Sequence, residues 1–191
     1  MIRDLILKNR TYRRYDENEK IDIKKIEKWL DNARFSSCGN NMQALKYIVS
    51  LKKETNEKIF MGLKWAVALK NWDGPQAGER PVAYIIMLLD HNIRKTAMWD
   101  HGIAATNILL SAVEDGYGGC MLASFNKYQL VSELNIEEHL EPIMVIALGK
   151  PKETVVLEDM KNESYTYYRT EDGVHHVPKR PLKEIIYKEI F

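Results

Sequence analysis

The sequence predicts an α+β protein with a central mixed sheet flanked by helices, and three observations carry that reading. Two runs, 81–89 and 143–148, are apolar at every successive position, the mark of strands covered on both faces. The stretch 97–114 is too long for a strand and is apolar around most of its circumference, through Ile103, Ala104, Ala105, Ile108, Leu109, Leu110, Ala112 and Val113. Finally, 191 residues with 45% hydrophobic content bury one real core. A single domain over 1–191 is expected, with 152–191 as a C-terminal extension. A helix that needs cover on nearly every side is hard to surround within so short a chain, so a second copy of the chain is expected to cover its remaining face.

The elements follow in order. Ile2, Leu5 and Ile6 form a short stripe at helical spacing, broken by a polar segment, 8–20, that reads as a loop. Asp22 caps a helix that places Ile23, Ile26, Trp29, Leu30 and Ala33 on one face, and the polar cluster 36–41 ends it. A strand is expected over 47–51, a helix over 55–67, and a mobile loop over 71–80, which holds Gly74, Pro75 and Gly78. After the long helix, the turn 116–119 leads into a strand around 120–123, and Asn126 caps a helix carrying Leu130, Val131 and Leu134. Pro142 opens the second apolar strand, which ends in Gly149, Lys150 and Pro151. The chain then turns polar and tyrosine-rich and reads as irregular up to Val177 and Pro178. Pro181 suits the first turn of a last helix with Leu182, Ile185 and Ile186, which would anchor the tail.

Composition excludes several classes of partner. With 28 basic against 27 acidic residues and no long run of either, nucleic acid is not expected as a partner. No stretch reaches the roughly 20 apolar residues of a membrane span, so no membrane partner is expected either. Two cysteines in separate segments, Cys38 and Cys120, and a start without a long apolar stretch fit a reducing cytoplasm. The turn 116–119 follows a helix, whereas a dinucleotide-binding glycine loop follows a strand and opens a helix. No histidine is singled out as partner to Cys38 for nucleophilic chemistry. His175 and His176 are adjacent and face opposite ways if extended, so no metal site is expected.

Three clusters could carry chemistry. Arg10, Thr11, Arg13 and Arg14 gather where the first helix gives out, and guanidinium groups grip phosphate oxygens in pairs. Asn41 and Gln43 would point the same way on an extended segment, and carboxamides match the alternating donors and acceptors of a flavin or nucleobase edge. Lys179 and Arg180 place two cations just ahead of the last helix. Taken singly, each has a plainer reading as a solvated basic loop, a helix C-cap or a chance surface pair.

Together these segments resemble the nitroreductase family of FMN-dependent enzymes. Its early signature is arginine, arginine, serine, any residue, arginine, any residue, aromatic; Arg10, Thr11, Arg13 and Tyr15 match it, with Asn9 in place of the first arginine. In its second signature Ala33, Arg34, Asn41 and Gln43 fall in register, while Ser37 and Cys38 stand where proline and serine are usual, and Ala44 and Leu45 where proline and tryptophan are usual. The third appears as Asp100, Gly102, Ala104, Ala105, Asn107, Leu110, Ala112, Gly116 and Gly118. The resemblance spans nearly the whole chain in the right order.

The resemblance implies a nitroreductase-like fold in an intertwined homodimer. It implies that Arg10, Thr11 and Arg13, with Lys179 and Arg180, hold the FMN phosphate and ribityl chain. Cys38, Asn41 and Gln43 would approach the flavin from the partner subunit. Leu122, Ala123 and Ser124 would lie along the isoalloxazine ring, with a backbone N–H near N5. The group facing N1 and O2 is assigned to no residue, and the loop 71–80 is its candidate source. The implied activity is ping-pong hydride transfer from NADH or NADPH to a small-molecule electron acceptor, and no catalytic side chain is expected because the flavin carries the chemistry. The alternative is an FMN-binding carrier or sensor without redox turnover, for which the departures at Asn9, Ser37 and Leu45 leave room.

Overall fold

The computed structural model describes residues 1–70 and 72–191, so Asn71, the first residue of the expected loop 71–80, lies outside the described residues. The chain divides into two compact units, Met1–Trp65 with Gly74–Lys152, and Ala66–Asp73 with Glu153–Phe191.

The larger unit is built on a sheet of β1 (Tyr15–Asp16), β2 (Leu45–Ser50), β3 (Ala83–Asp90), β4 (Gly118–Leu122) and β5 (Leu140–Pro151). Strands β2, β3, β5 and β4 lie side by side in that order, and β1 pairs with the end of β5. These ladders are antiparallel, and parallel pairing enters through an isolated bridge between Thr11 and Gly119. The alternation of side chains accounts for the continuous apolar runs. In β3, Ala83, Ile85 and Met87 join the core beneath α2 (Ile23–Arg34) and α4 (Asp100–Glu114). Tyr84, Ile86 and Leu88 are buried on the opposite face, where α3 (Lys53–Met61) contacts β3 and α5 (Lys127–Leu134) contacts β5. The caps are as expected, with the Asp22 side chain accepting from the Lys24 N–H and that of Asn126 from the Gln129 N–H.

Polar groups set the alignment of α2 on α4. Trp29 donates its indole N–H to Asp115 at 2.8 Å, Asn32 donates to the Ser111 hydroxyl at 3.0 Å, and Asn107 donates to the Ser36 hydroxyl at 2.7 Å. The Trp29 bond, with help from Lys28, holds the Asp115 carboxyl below its ordinary range. The rest of α2 buries Ile26, Trp29 and Ala33.

Several expectations need correction. The helix expected over 55–67 spans Lys53–Met61, because beyond Gly62 the backbone is captured sideways: Leu63 bridges Phe125, and the Lys64 N–H donates to the Ser124 carbonyl at 3.0 Å. The strand expected over 47–51 spans Leu45–Ser50, and the loop 8–20 contains the short β1. The loop 71–80 is pinned over its second half: Arg14 pairs with Glu79 through both Nε (2.7 Å) and Nη2, and the Gly78 N–H donates to Glu17. Helix α4 leaves one face open within the chain, where Trp99 is 74% and Ile103 38% exposed.

The smaller unit corrects the irregular tail. It contains β6 (Val155–Asp159), β7 (Tyr168–Arg169) and β8 (His175–Lys179), with β6 parallel and β7 antiparallel to β8. Side chains hold this sheet where apolar alternation is weak. Arg169 pairs with the buried carboxylate of Glu153 at 2.9 Å and lies over the Trp72 ring, and Tyr168 stacks on His176. The last helix, α6 (Leu182–Ile185), anchors nothing within the described chain: Leu182, Ile185, Tyr187 and Phe191 are all exposed. No helix among the described residues is long and apolar enough to cross a membrane.

Candidate functional site

Edge strand β4 organises the first part of the site. After α1 (Ile2–Lys8) the chain leaves the helix in an extended conformation at Asn9, and Thr11 then bridges Gly119 while the Tyr12 N–H donates to the Gly119 carbonyl at 3.1 Å. Glycine is required at 119 by close approach, since a Cβ there would lie 2.5 Å from the Ala147 carbonyl oxygen and 2.7 Å from a Leu109 methyl group. The Arg10 guanidinium is fastened at Nη2 to the Ile6 carbonyl, while its Nε is buried with no hydrogen-bond partner among the described residues. Burial pushes the Arg10 pKa down and the Tyr12 charge opposes this, so a compensating anion beside the guanidinium would be favoured. Arg13, half-buried, reaches the Thr11 carbonyl at 3.4 Å, and Thr11 itself is exposed.

At the far end of the same strand lie Leu122, buried, and Ala123 and Ser124, both exposed. From Gly119 to Leu122 is three residues of strand, roughly 10 Å. The cations and segment 122–124 are thus set at the two ends of one short strand.

The second part forms differently from its expectation. The segment with Asn41 and Gln43 is not extended. Cys38 leads into a 3-10 turn, Gly39–Asn41, and Asn40, Asn41 and Gln43 all take left-handed φ values, near +53°. The Gln43 carboxamide folds back onto the Asn41 carbonyl at 3.2 Å. A buried ion pair that the sequence reading missed holds this turn: Asp100, at the start of α4, accepts from the Gly39 N–H at 2.9 Å and pairs with Arg94 at 3.2 Å. Asn41 and Gln43 are exposed, whereas Cys38 is half-buried beside a cavity of about 470 Å³ that Gln43, Leu45 and Tyr47 also line.

The two parts do not meet within one chain. Turn 38–43 precedes β2 and segment 122–124 ends β4, and the registers place both at the same end of the sheet but on opposite edges. Three interstrand steps separate them, roughly 14 Å. Lys179 and Arg180 belong to the smaller unit. Lys179 ends β8 and its carbonyl accepts from the Met160 N–H, while Arg180 pairs with Glu184 at 2.9 Å, both cations being exposed. In the described part of loop 71–80, the Arg80 guanidinium lies over the Phe60 ring.

These elements define an α+β protein whose candidate ligand groups in the larger unit sit at the ends and edges of one sheet, with Lys179 and Arg180 in the smaller unit. The chain belongs to the nitroreductase family, whose sequence profile matches residues 6–150. Among curated proteins, it is 33% identical over 57 residues to YodC of Bacillus subtilis (strain 168), provisionally named an NAD(P)H nitroreductase. That match covers 30% of this chain and 28% of the length of YodC. A nitroreductase family protein of Streptococcus pneumoniae TIGR4 superposes with a TM-score of 0.71 at 16% identity, over 99% of this chain and all of its own. One from Clostridium difficile 630 gives 0.68 at 23% identity, over 98% of each chain. A nitroreductase of Exiguobacterium sibiricum 255-15, solved in complex with FMN, gives 0.66 at 18% identity, over 80% of this chain and 89% of its own. The likeness to these structures establishes the fold.

Proposed function

We propose that the protein is an FMN-dependent oxidoreductase that draws on NADH or NADPH and works as a homodimer with composite sites. The carrying observation is the placement of two candidate segments, 38–43 and 122–124, at the same end but on opposite edges of the sheet, which a second copy would close into one pocket. Arg10 fits a phosphate, because its buried Nε–H has no acceptor among the described residues.

In this reading Arg10, Thr11 and Arg13, joined by Lys179 and Arg180, bind the phosphate and ribityl chain. Leu122, Ala123 and Ser124 position the ring edge from one chain, and Cys38, Asn41 and Gln43 of the second copy close the other side. The open face of α4, with Trp99 and Ile103, supplies the apolar surface on which the two copies meet. Bound FMN supplies the hydride chemistry, between NAD(P)H and a small oxidised acceptor such as a nitroaromatic or a quinone. A single pocket that admits donor and acceptor in turn gives ping-pong kinetics. Two cysteines in separate segments, Cys38 and Cys120, accord with a reducing cytoplasm.

Anaerobic addition of NADH or NADPH to the purified protein tests this reading. Bleaching of a bound yellow chromophore, followed by recovery on adding menadione or a nitroaromatic, is the expected result. A flavin that stays oxidised would instead support a carrier or sensor, a reading that Asn9, Ser37 and Leu45 favour because they depart from the family signatures.

A further inference from the structure

A second cavity lies in the larger unit, between α3, the segment after β1 and the start of β3; it has a volume of about 380 Å³, takes Ala77, Gly78 and Arg80 from loop 71–80, and contains none of the residues assigned above to the flavin phosphate, ribityl chain or ring. Its size suits a small molecule. Tyr84 lines it, is only 1% exposed, and carries a buried hydroxyl with no hydrogen-bond partner among the described residues. Arg80 lines it too, and its buried Nε is likewise without a partner among the described residues. An unmet buried donor forgoes its hydration without compensation, so two in one cavity are a standing penalty that an acceptor oxygen would remove. Burial raises the Tyr84 pKa, and the Arg80 charge opposes this, so the two groups that line the cavity are close enough to interact.

The charge around the cavity narrows the ligand. Lys20, Lys53 and Arg80 face Glu17 and Glu57, three cations against two carboxylates, which leaves one positive charge uncompensated. Glu17 is further engaged by the Gly78 N–H, and the ammonium of Lys20 by the Glu17 carbonyl at 3.1 Å. Helix α3 begins at Lys53 with no side-chain cap, so its positive end adds to the same field. The Phe60 ring under Arg80 gives the guanidinium a fixed platform.

We propose that this cavity binds a small monocarboxylate, its oxygens received by the Arg80 guanidinium and the Tyr84 hydroxyl. The two lining carboxylates repel a second negative charge, so a phosphate dianion is disfavoured. Calorimetric titration of the protein as purified, with benzoate, acetate and inorganic phosphate as separate probes, tests the site. The expected result is saturable binding of benzoate or acetate, weakened about tenfold in Tyr84→Phe and at least as much in Arg80→Gln, with phosphate much weaker. Tyr84→Phe removes one oxygen and keeps the packing, so it decides the matter even should Arg80→Gln fail to fold. Absence of carboxylate binding, binding indifferent to Tyr84→Phe, or phosphate bound as tightly as benzoate would each overturn the proposal. A ligand-free Tyr84→Phe protein that melts well below the parent would overturn it too, because the hydroxyl would then already have a partner.

Discussion

Arg10→Ala combined with Lys179→Ala is expected to yield a folded protein that purifies colourless. Each cation removed takes away a charge-assisted hydrogen bond worth roughly 1.5–3 kcal/mol. Together they should weaken FMN binding by about a hundredfold to ten-thousandfold. Stability should change little, because Lys179 is exposed and half-buried Arg10 is tied to the body of the protein by a capping contact with the Ile6 carbonyl. Flavin absorbance per chain and a circular-dichroism melt measure the two quantities separately. Stoichiometric FMN on the double variant would remove the phosphate assignment.

Trp29→Ala is expected to produce the largest loss of stability. Trp29 is fully buried, packs against the Tyr117 ring and donates to Asp115. Truncating a core tryptophan costs roughly 3–5 kcal/mol, against about 5–15 kcal/mol for a whole domain. The melting temperature should fall by roughly 6–20 °C. Trp29→Phe separates packing from hydrogen bonding, since it keeps a ring and loses the donor. The Asp115 carboxyl is held below its ordinary range, so its stabilising effect is present above that range and is lost as pH falls through the depressed value. In Trp29→Phe the Asp115 pKa should rise and this acid-linked loss should shrink, which urea melts across acidic pH would detect.

The core of the fold was legible because burial on both faces leaves an unmistakable trace. The eight consecutive buried positions of β3 form a run too short for a buried helix and rich in aliphatic residues, α2 carries an apolar stripe, and α4 is apolar around most of its circumference. The small sheet of β6, β7 and β8 left no such trace, because ion pairs and stacked rings such as Arg169 with Glu153 and Tyr168 with His176 hold it together. Whether Asn41 and Gln43 lie on an extended segment or in a turn was left open by the sequence for a related reason, and the structure shows the turn. Its shape is imposed from outside by Asp100 and Arg94, about 50–60 residues further along the chain. Sequence order pointed to Arg10 and Thr11, but only the bridge to Gly119 sets them at one end of β4.

The placement of the two loops on opposite borders of the sheet also bears on inheritance. Under the proposed assembly, a polypeptide damaged at Arg10 and another damaged at Gln43 would each be inactive alone. Co-expressed, they would form mixed pairs in which one pocket collects both lesions and the other collects neither, so two broken alleles would restore part of the lost turnover.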